Sequence, residues 1–132
     1  VLARTSNPGA ARFQGDLPSG TGLSADVLRD AASWAGPDDG HCGFVVGATH
    51  PAELAAARAM VPTAAFLIPG IGAQGGDLRA AVVHGPDEVA GPVINAGRSV
   101  IYASSGMDFD SRAREAAMAL RDEINDLRQA GT

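Results

Sequence analysis

The stretch Phe66-Leu-Ile-Pro-Gly-Ile-Gly-Ala-Gln-Gly-Gly-Asp77 constrains the fold more than any other part of the chain. Phe66 to Ile68 read as the end of a buried strand. Pro69 to Gly76 hold four glycines, and Asp77 opens a short segment with helical apolar spacing. A strand that runs through a glycine-rich turn into a helix start lets backbone N–H groups come close to an anion, and the helix dipole favours negative charge there. A plain tight loop that needs glycine for positive φ explains Gln74, Gly75 and Gly76 as the alternative.

A second corner of the same kind follows in Val93-Ile-Asn-Ala-Gly-Arg98, where a strand empties into glycine and one arginine. Two successive strand ends of this type, the second bearing a guanidinium, match the way a (β/α)8 barrel holds a phosphate after its last two strands. The rest of the chain repeats the strand–helix alternation. Strands are expected near residues 1–5, 43–47, 65–69 and 93–96. Helices are expected from Ser24 as N-cap through Val27, Leu28, Ala31, Ala32 and Trp34 to a Gly36-Pro37 stop, and from Pro51 to about Met60. Two more are expected from Asp77 to Val83 and from near Asp108 to the end, with a possible extra turn at Arg98–Ala103. The last helix carries an apolar stripe of Ala113, Ala116, Ala117, Leu120, Ile124 and Leu127. Short strands that are apolar throughout imply a parallel sheet covered on both faces. The expected fold class is α/β, a single domain over residues 1–132 built of four βα units, half of a (β/α)8 TIM barrel. Such a half leaves two sheet edges and an apolar layer open, a liability for self-association.

Composition narrows the partners. The formal net charge is −5, so no basic surface is on hand to displace counterions from a nucleic acid. No apolar run approaches the ~20 residues of a membrane span. The single Cys42 forms no internal disulfide, which fits a reducing cytoplasm. It follows His41 in the polar Asp38-Asp-Gly-His-Cys-Gly43 approach to a strand and reads as a loop residue, not a nucleophile. His50 reads as a helix-start residue, and His84 lies at a helix end. Asp108 and Asp110 read as helix capping, and no His/Cys/Asp spacing has the pattern of a metal site.

Four segments, in order, carry a family resemblance. Pro69-Gly-Ile-Gly-Ala-Gln-Gly-Gly-Asp77 resembles the signature after strand seven of orotidine 5'-monophosphate decarboxylase. Arg4-Thr-Ser-Asn-Pro-Gly9 with Gln14 resembles the end of its strand five, and Gly43-Phe-Val-Val-Gly-Ala-Thr-His-Pro51 its strand six. Ile94-Asn-Ala-Gly-Arg98 with Ile101-Tyr102-Ala103 resembles strand eight, and the whole pattern is most similar to the longer bacterial branch. The family often has Ser-Ser-Arg where this chain has Ala-Gly-Arg, so a secondary hydroxyl contact to phosphate is lost while the arginine is kept.

The resemblance implies roles. Gln74, Gly75, Gly76, Gly97 and Arg98 would hold the nucleotide phosphate, Gln74 through its side-chain amide. Ser6 would read the pyrimidine edge, with Pro69 and Ile71 in apolar contact near the base. Thr5 and Asn7 are equally well explained as turn residues before Pro8. The family's reaction converts orotidine 5'-monophosphate to uridine 5'-monophosphate and carbon dioxide, without metal or organic cofactor. It depends on an Asp-x-Lys-x-x-Asp arrangement on strand three. This chain contains no lysine, since all ten basic residues are arginines, and it starts at Val1 in mid-strand. It therefore reads as the C-terminal half of the enzyme, with no catalytic residue of its own. The expected partners are the nucleotide, an N-terminal half-barrel and, in the intact enzyme, a second subunit. Another phosphate-binding TIM-barrel enzyme, or a non-catalytic phosphate-binding half-barrel, would share the glycine corners.

Overall fold

The computed structural model describes residues 1–7, 9–34, 41–72, 75–87 and 89–130. Four strands, β1 (Leu2–Arg4), β2 (Phe44–Val46), β3 (Phe66–Pro69) and β4 (Val93–Asn95), form one parallel sheet in sequence order. All four coincide with the strands expected from the sequence. The helices are α1 (Ala10–Gln14), α2 (Leu23–Ser33), α3 (Pro51–Met60), α4 (Leu78–His84), α5 (Arg98–Ile101) and α6 (Phe109–Ala130). Between α1 and α2 a 3-10 turn spans Leu17–Ser19. Neither α1 nor this turn is among the elements expected from the sequence. Five and three residues are too short to show an apolar period.

One face of the sheet is covered by helices. Phe44, Val46, Phe66 and Ile68 point to it, and Leu28 and Ala31 of α2 and Leu54 and Ala57 of α3 complete the core. The other face carries Leu2, Val45, Leu67 and Val93, which lie in register across all four strands. These four are exposed or half-buried. The alternation breaks once. Leu2 pairs with Val45 but Arg4 pairs with Val46, so two residues of β1 oppose one step of β2. This bulge turns Arg4 away from the face of Leu2 and toward the helices.

Three details differ from the sequence expectations. Ser24 is not the N-cap of α2; Gly22 is, and the Ser24 hydroxyl donates to the Ala3 carbonyl at 2.7 Å, which ties the helix to β1. Trp34 is 67% exposed and leaves the apolar face to Ala25, Leu28 and Ala31. Asp108 does not cap α6 with its side chain; its carboxylate accepts from Ser104 Oγ at 2.6 Å and pairs with Arg112 at 3.1 Å. Those two bonds, Ser104 first, hold Asp108 below the usual carboxylate range. The Gly36-Pro37 stop and the Asp38-Asp39 loop lie outside the described residues.

Arg58 secures the opposite end of the sheet. Its guanidinium lies 3.8 Å from the centre of the Phe66 ring. It donates to the carbonyls of Val61, Pro62, Ala64 and Gly85 at 2.5–3.1 Å. Burial lowers its pKa, and the nearby Asp87 opposes that shift. Gly85 leaves no room for a side chain: a Cβ there would sit 2.6 Å from Pro92 Cγ and 2.8 Å from Ile68 Cδ1. Gly85→Ala should therefore destabilise the chain by about 1–3 kcal/mol through overpacking, seen as a lower urea midpoint.

Candidate functional site

Because all four strands are parallel, their C-terminal ends share one edge of the sheet, the end where barrels of this class place their chemistry. The corners after the strands are joined to one another in sequence order. The Gly47 N–H donates to the Arg4 carbonyl at 3.0 Å, and a Cβ on Gly47 would lie 3.5 Å from the Ser6 nitrogen. The Asp77 N–H donates to the Ala48 carbonyl at 3.0 Å, and a Cβ on Gly76 would meet Ala48 Cβ at 3.0 Å and the Gly70 oxygen at 2.7 Å. A Cβ on Gly72 would lie 2.7 Å from Ser99 Oγ, on the residue next to Arg98. Glycine is thus a packing requirement at Gly72 and Gly76, whereas Gly47 marks a close approach of the first two corners. Gly70, Gly72 and Gly75 also take positive φ, of 95°, 83° and 70°.

The expected site residues are gathered at this edge, with different exposures. Ser6, Gly75, Gly97 and Arg98 are exposed, while Pro69 and Gly76 are half-buried. Among the described residues the Arg98 guanidinium has no hydrogen bond or ion pair. Ile71 is only 6% exposed and packs into the core, bridged to Gly76, so it supports the loop from beneath and presents no open apolar face. Gln74 lies outside the described residues.

The start of α4 differs from the anion-binding terminus that the glycine run suggests. The Asp77 carboxylate accepts from the Ala80 N–H at 2.8 Å and caps the helix itself. The Gly75 and Gly76 N–H groups are bonded within the loop, to the Gly72 and Gly70 carbonyls at 2.9 and 3.0 Å. At the next corner the first-turn amides of α5, Arg98 and Ser99, have no intrahelical acceptor, as at any helix start.

A polar brace behind Ser6 escaped the sequence reading. Arg4 forms a two-pronged pair with Glu53 of α3, Nε–Oε2 at 2.6 Å and Nη2–Oε1 at 2.7 Å. Its Nη1 donates to Gln14 Oε1 at 3.0 Å, and the same oxygen accepts the Thr5 N–H at 3.0 Å. The Gln14 amide donates back to Thr5 Oγ1 at 3.2 Å. His50 stands at the helix start, its Nδ1 3.0 Å from Thr49 Oγ1 and 3.9 Å from Glu53. The brace fixes the backbone of Thr5, immediately before Ser6. Glu53 sits forty-nine positions beyond Arg4, and charge patterning alone reads it as a surface residue of a helix.

Among the described residues no group of three His, Cys, Asp or Glu is placed to hold a metal ion. No helix among them is long and apolar enough to cross a membrane. Comparison with known proteins decides the family: the sequence model of the orotidine 5'-phosphate decarboxylase / HUMPS family matches residues 1–108. The chain belongs to this family. It is 45% identical over 130 residues to the orotidine 5'-phosphate decarboxylase of Azoarcus sp., covering 97% of this chain and 47% of that relative. The orotidine 5'-phosphate decarboxylase of Bordetella avium is 47% identical over 135 residues, with 97% and 48% covered. Among solved structures, Leishmania donovani UMP synthase superposes with a TM-score of 0.73 at 39% identity, over 97% of this chain and 27% of that one. Leishmania donovani OMP decarboxylase gives 0.70 at 36%, over 97% and 47%. The chain thus spans about half the length of the curated decarboxylases it matches. As in those relatives, it is an α/β assembly of TIM-barrel type, here with four parallel strands.

Proposed function

We propose that this chain supplies the phosphate- and base-holding half of an enzyme that decarboxylates orotidine 5'-monophosphate to uridine 5'-monophosphate in pyrimidine biosynthesis. One observation carries the reading. The four corners that resemble the family's motifs lie at one edge of a parallel sheet and are stitched to each other, Ser6 to Gly47, Ala48 to Gly76, and Gly72 to Ser99. In this reading Arg98 and the Gly97 N–H hold the phosphate. Gln74, Gly75 and Gly76 close over it, Ser6 meets the pyrimidine edge, and Pro69 lies against the base with Ile71 behind it. A planar guanidinium fork suits phosphate oxygens, and Arg98 has no partner among the described residues to compete for it.

The phosphate is remote from the carbon that loses carbon dioxide. Its binding energy can therefore be spent on closing the loop and orienting the base where charge develops. The family's proton donor to that carbon is a lysine, and this chain has none. It works on this reading with an N-terminal half-barrel, as a cytoplasmic enzyme that pairs with a second subunit when intact and uses no cofactor.

The test is an assay of the purified chain with orotidine 5'-monophosphate, alone and then mixed with an N-terminal half carrying Asp-x-Lys-x-x-Asp. No turnover above background is expected from the chain alone, and decarboxylation is expected from the mixture. Turnover by the lysine-free chain alone would overturn the assignment of roles.

A further inference from the structure

One peptide unit, between Arg4 and Thr5, is clamped from both sides just before Ser6. Its carbonyl accepts the Gly47 N–H at 3.0 Å, and its N–H donates to Gln14 Oε1 at 3.0 Å. The second contact comes from a side chain. After β1 the chain turns through α1, and Gln14, the last residue of that helix, returns to Thr5, nine positions earlier. Gly15 ends α1 there at a φ of 77°, and a Cβ on it would lie 2.8 Å from the Gly22 Cα. The backbone beside Gln14 is therefore pinned against the start of α2.

The orientation of the Gln14 amide is determined by its neighbours. Arg4 Nη1 and the Thr5 N–H can only donate, and both stand 3.0 Å from Gln14 Oε1. A flipped amide would set its NH2 group against two donors, so the oxygen faces them. Arg4 is held in turn by its two-pronged pair with Glu53 and is 4% exposed. Position is thus handed from Glu53 to Arg4, to Gln14, to the Thr5 amide and so to Ser6. Ser6 is exposed, and among the described residues its hydroxyl has no hydrogen bond. Its place comes from the backbone alone.

We infer that Gln14 is a positioning residue for base recognition: through the Thr5 amide it sets where the Ser6 hydroxyl stands, and so how tightly a pyrimidine nucleoside is held. The inference rests on the proposed reading that Ser6 meets the pyrimidine edge. Recognition groups need to be held within roughly 0.5 Å of their productive geometry, and a turn of the Arg4–Thr5 peptide carries Ser6 with it. A corner ordered before the ligand arrives also loses less freedom on binding. On the same reading the phosphate lies at the corners after β3 and β4, where Gln14 makes no hydrogen bond, so the influence of Gln14 stops at the base.

Binding of uridine and of ribose 5-phosphate to a full-length enzyme carrying this chain tests it, since one ligand has the base and the other the phosphate. Gln14→Met keeps the length of the side chain and removes the acceptor. It should weaken uridine about tenfold, the effect of one misplaced neutral hydrogen bond, and leave ribose 5-phosphate unchanged. Gln14→Glu keeps an oxygen for Arg4 and Thr5 and should restore uridine binding. Combined with Ser6→Ala, Gln14→Met should cost less than it does alone, because both act on one contact. Exchange of the Thr5 amide with solvent should quicken in Gln14→Met and not in Gln14→Glu. Unchanged uridine binding in Gln14→Met, equal loss of both ligands in a variant that keeps its circular dichroism, no restoration by Gln14→Glu, or additive losses would each overturn the inference. If Gln14→Met does not fold, Gln14→Asn, which draws the amide back by one methylene, replaces it with the same expectation. Undiminished uridine binding in Ser6→Ala would remove the base reading itself; a loss in Ser6→Ala with none in Gln14→Met would remove only the role of Gln14.

Discussion

Glu53→Ala should remove about 3–5 kcal/mol of stability, because it strands the Arg4 guanidinium without its carboxylate. Arg4 is 4% exposed and Glu53 13%, so water cannot take the place of the missing partner. Two short hydrogen bonds are lost at once, at 2.6 and 2.7 Å. Equilibrium urea unfolding should give a lower midpoint at unchanged slope, the mark of a stability change without a change in the surface exposed. The double variant Arg4→Met with Glu53→Leu should recover most of the loss, since a buried ion pair and an apolar pair of similar volume are often close in free energy. Equal loss in the single and double variants would mean that the brace is specific for its charges. A negligible loss in Glu53→Ala would mean that the pair is not desolvated as the structure has it.

Arg98→Ala should have the largest effect on ligand affinity. In a full-length enzyme carrying this chain, it should weaken uridine 5'-monophosphate by roughly ten- to a hundredfold and uridine hardly at all. A charge-assisted contact between arginine and phosphate contributes on the order of 1.5–3 kcal/mol. The Arg98 side chain is exposed, with no ion pair or hydrogen bond among the described residues, so its removal leaves no orphaned partner to confuse the reading. Gln74→Ala should act in the same direction and more weakly, as a neutral donor. Ser6→Ala should weaken both ligands about equally. Titration calorimetry with the two ligands separates the three roles, and equal losses at Arg98 would remove it from the phosphate site.

The sheet was legible because its signals are local. Phe44-Val-Val and Phe66-Leu-Ile are apolar runs bounded by glycine and proline, Pro51 marks the first turn of α3, and Asp77 caps α4. The corners were legible because glycine clusters after strands have few structural uses. What stayed hidden depends on tertiary placement. Nothing near Arg4 in sequence foretells a bulge that swings it to the helix side, nor that Glu53 and Gln14 will meet it there. The serine at position 24 suits an N-cap by type, yet a glycine took the cap and the hydroxyl went to β1. Arg58 fell at helical spacing among apolar residues, but its burial under four carbonyls and against Phe66 needed the loops before β3 and β4.

The internal bonds of the glycine loop have a kinetic consequence. An amide already donating to a carbonyl, as Gly75 does to Gly72 and Gly76 to Gly70, cannot donate to phosphate until that bond opens. On the proposed reading, capture of nucleotide through these amides contains a unimolecular step that ligand concentration cannot accelerate. In stopped-flow measurements the observed rate should rise with nucleotide and then level off at the opening rate of the loop, well under the diffusional encounter limit. Inorganic phosphate held by Arg98 alone should show no such plateau.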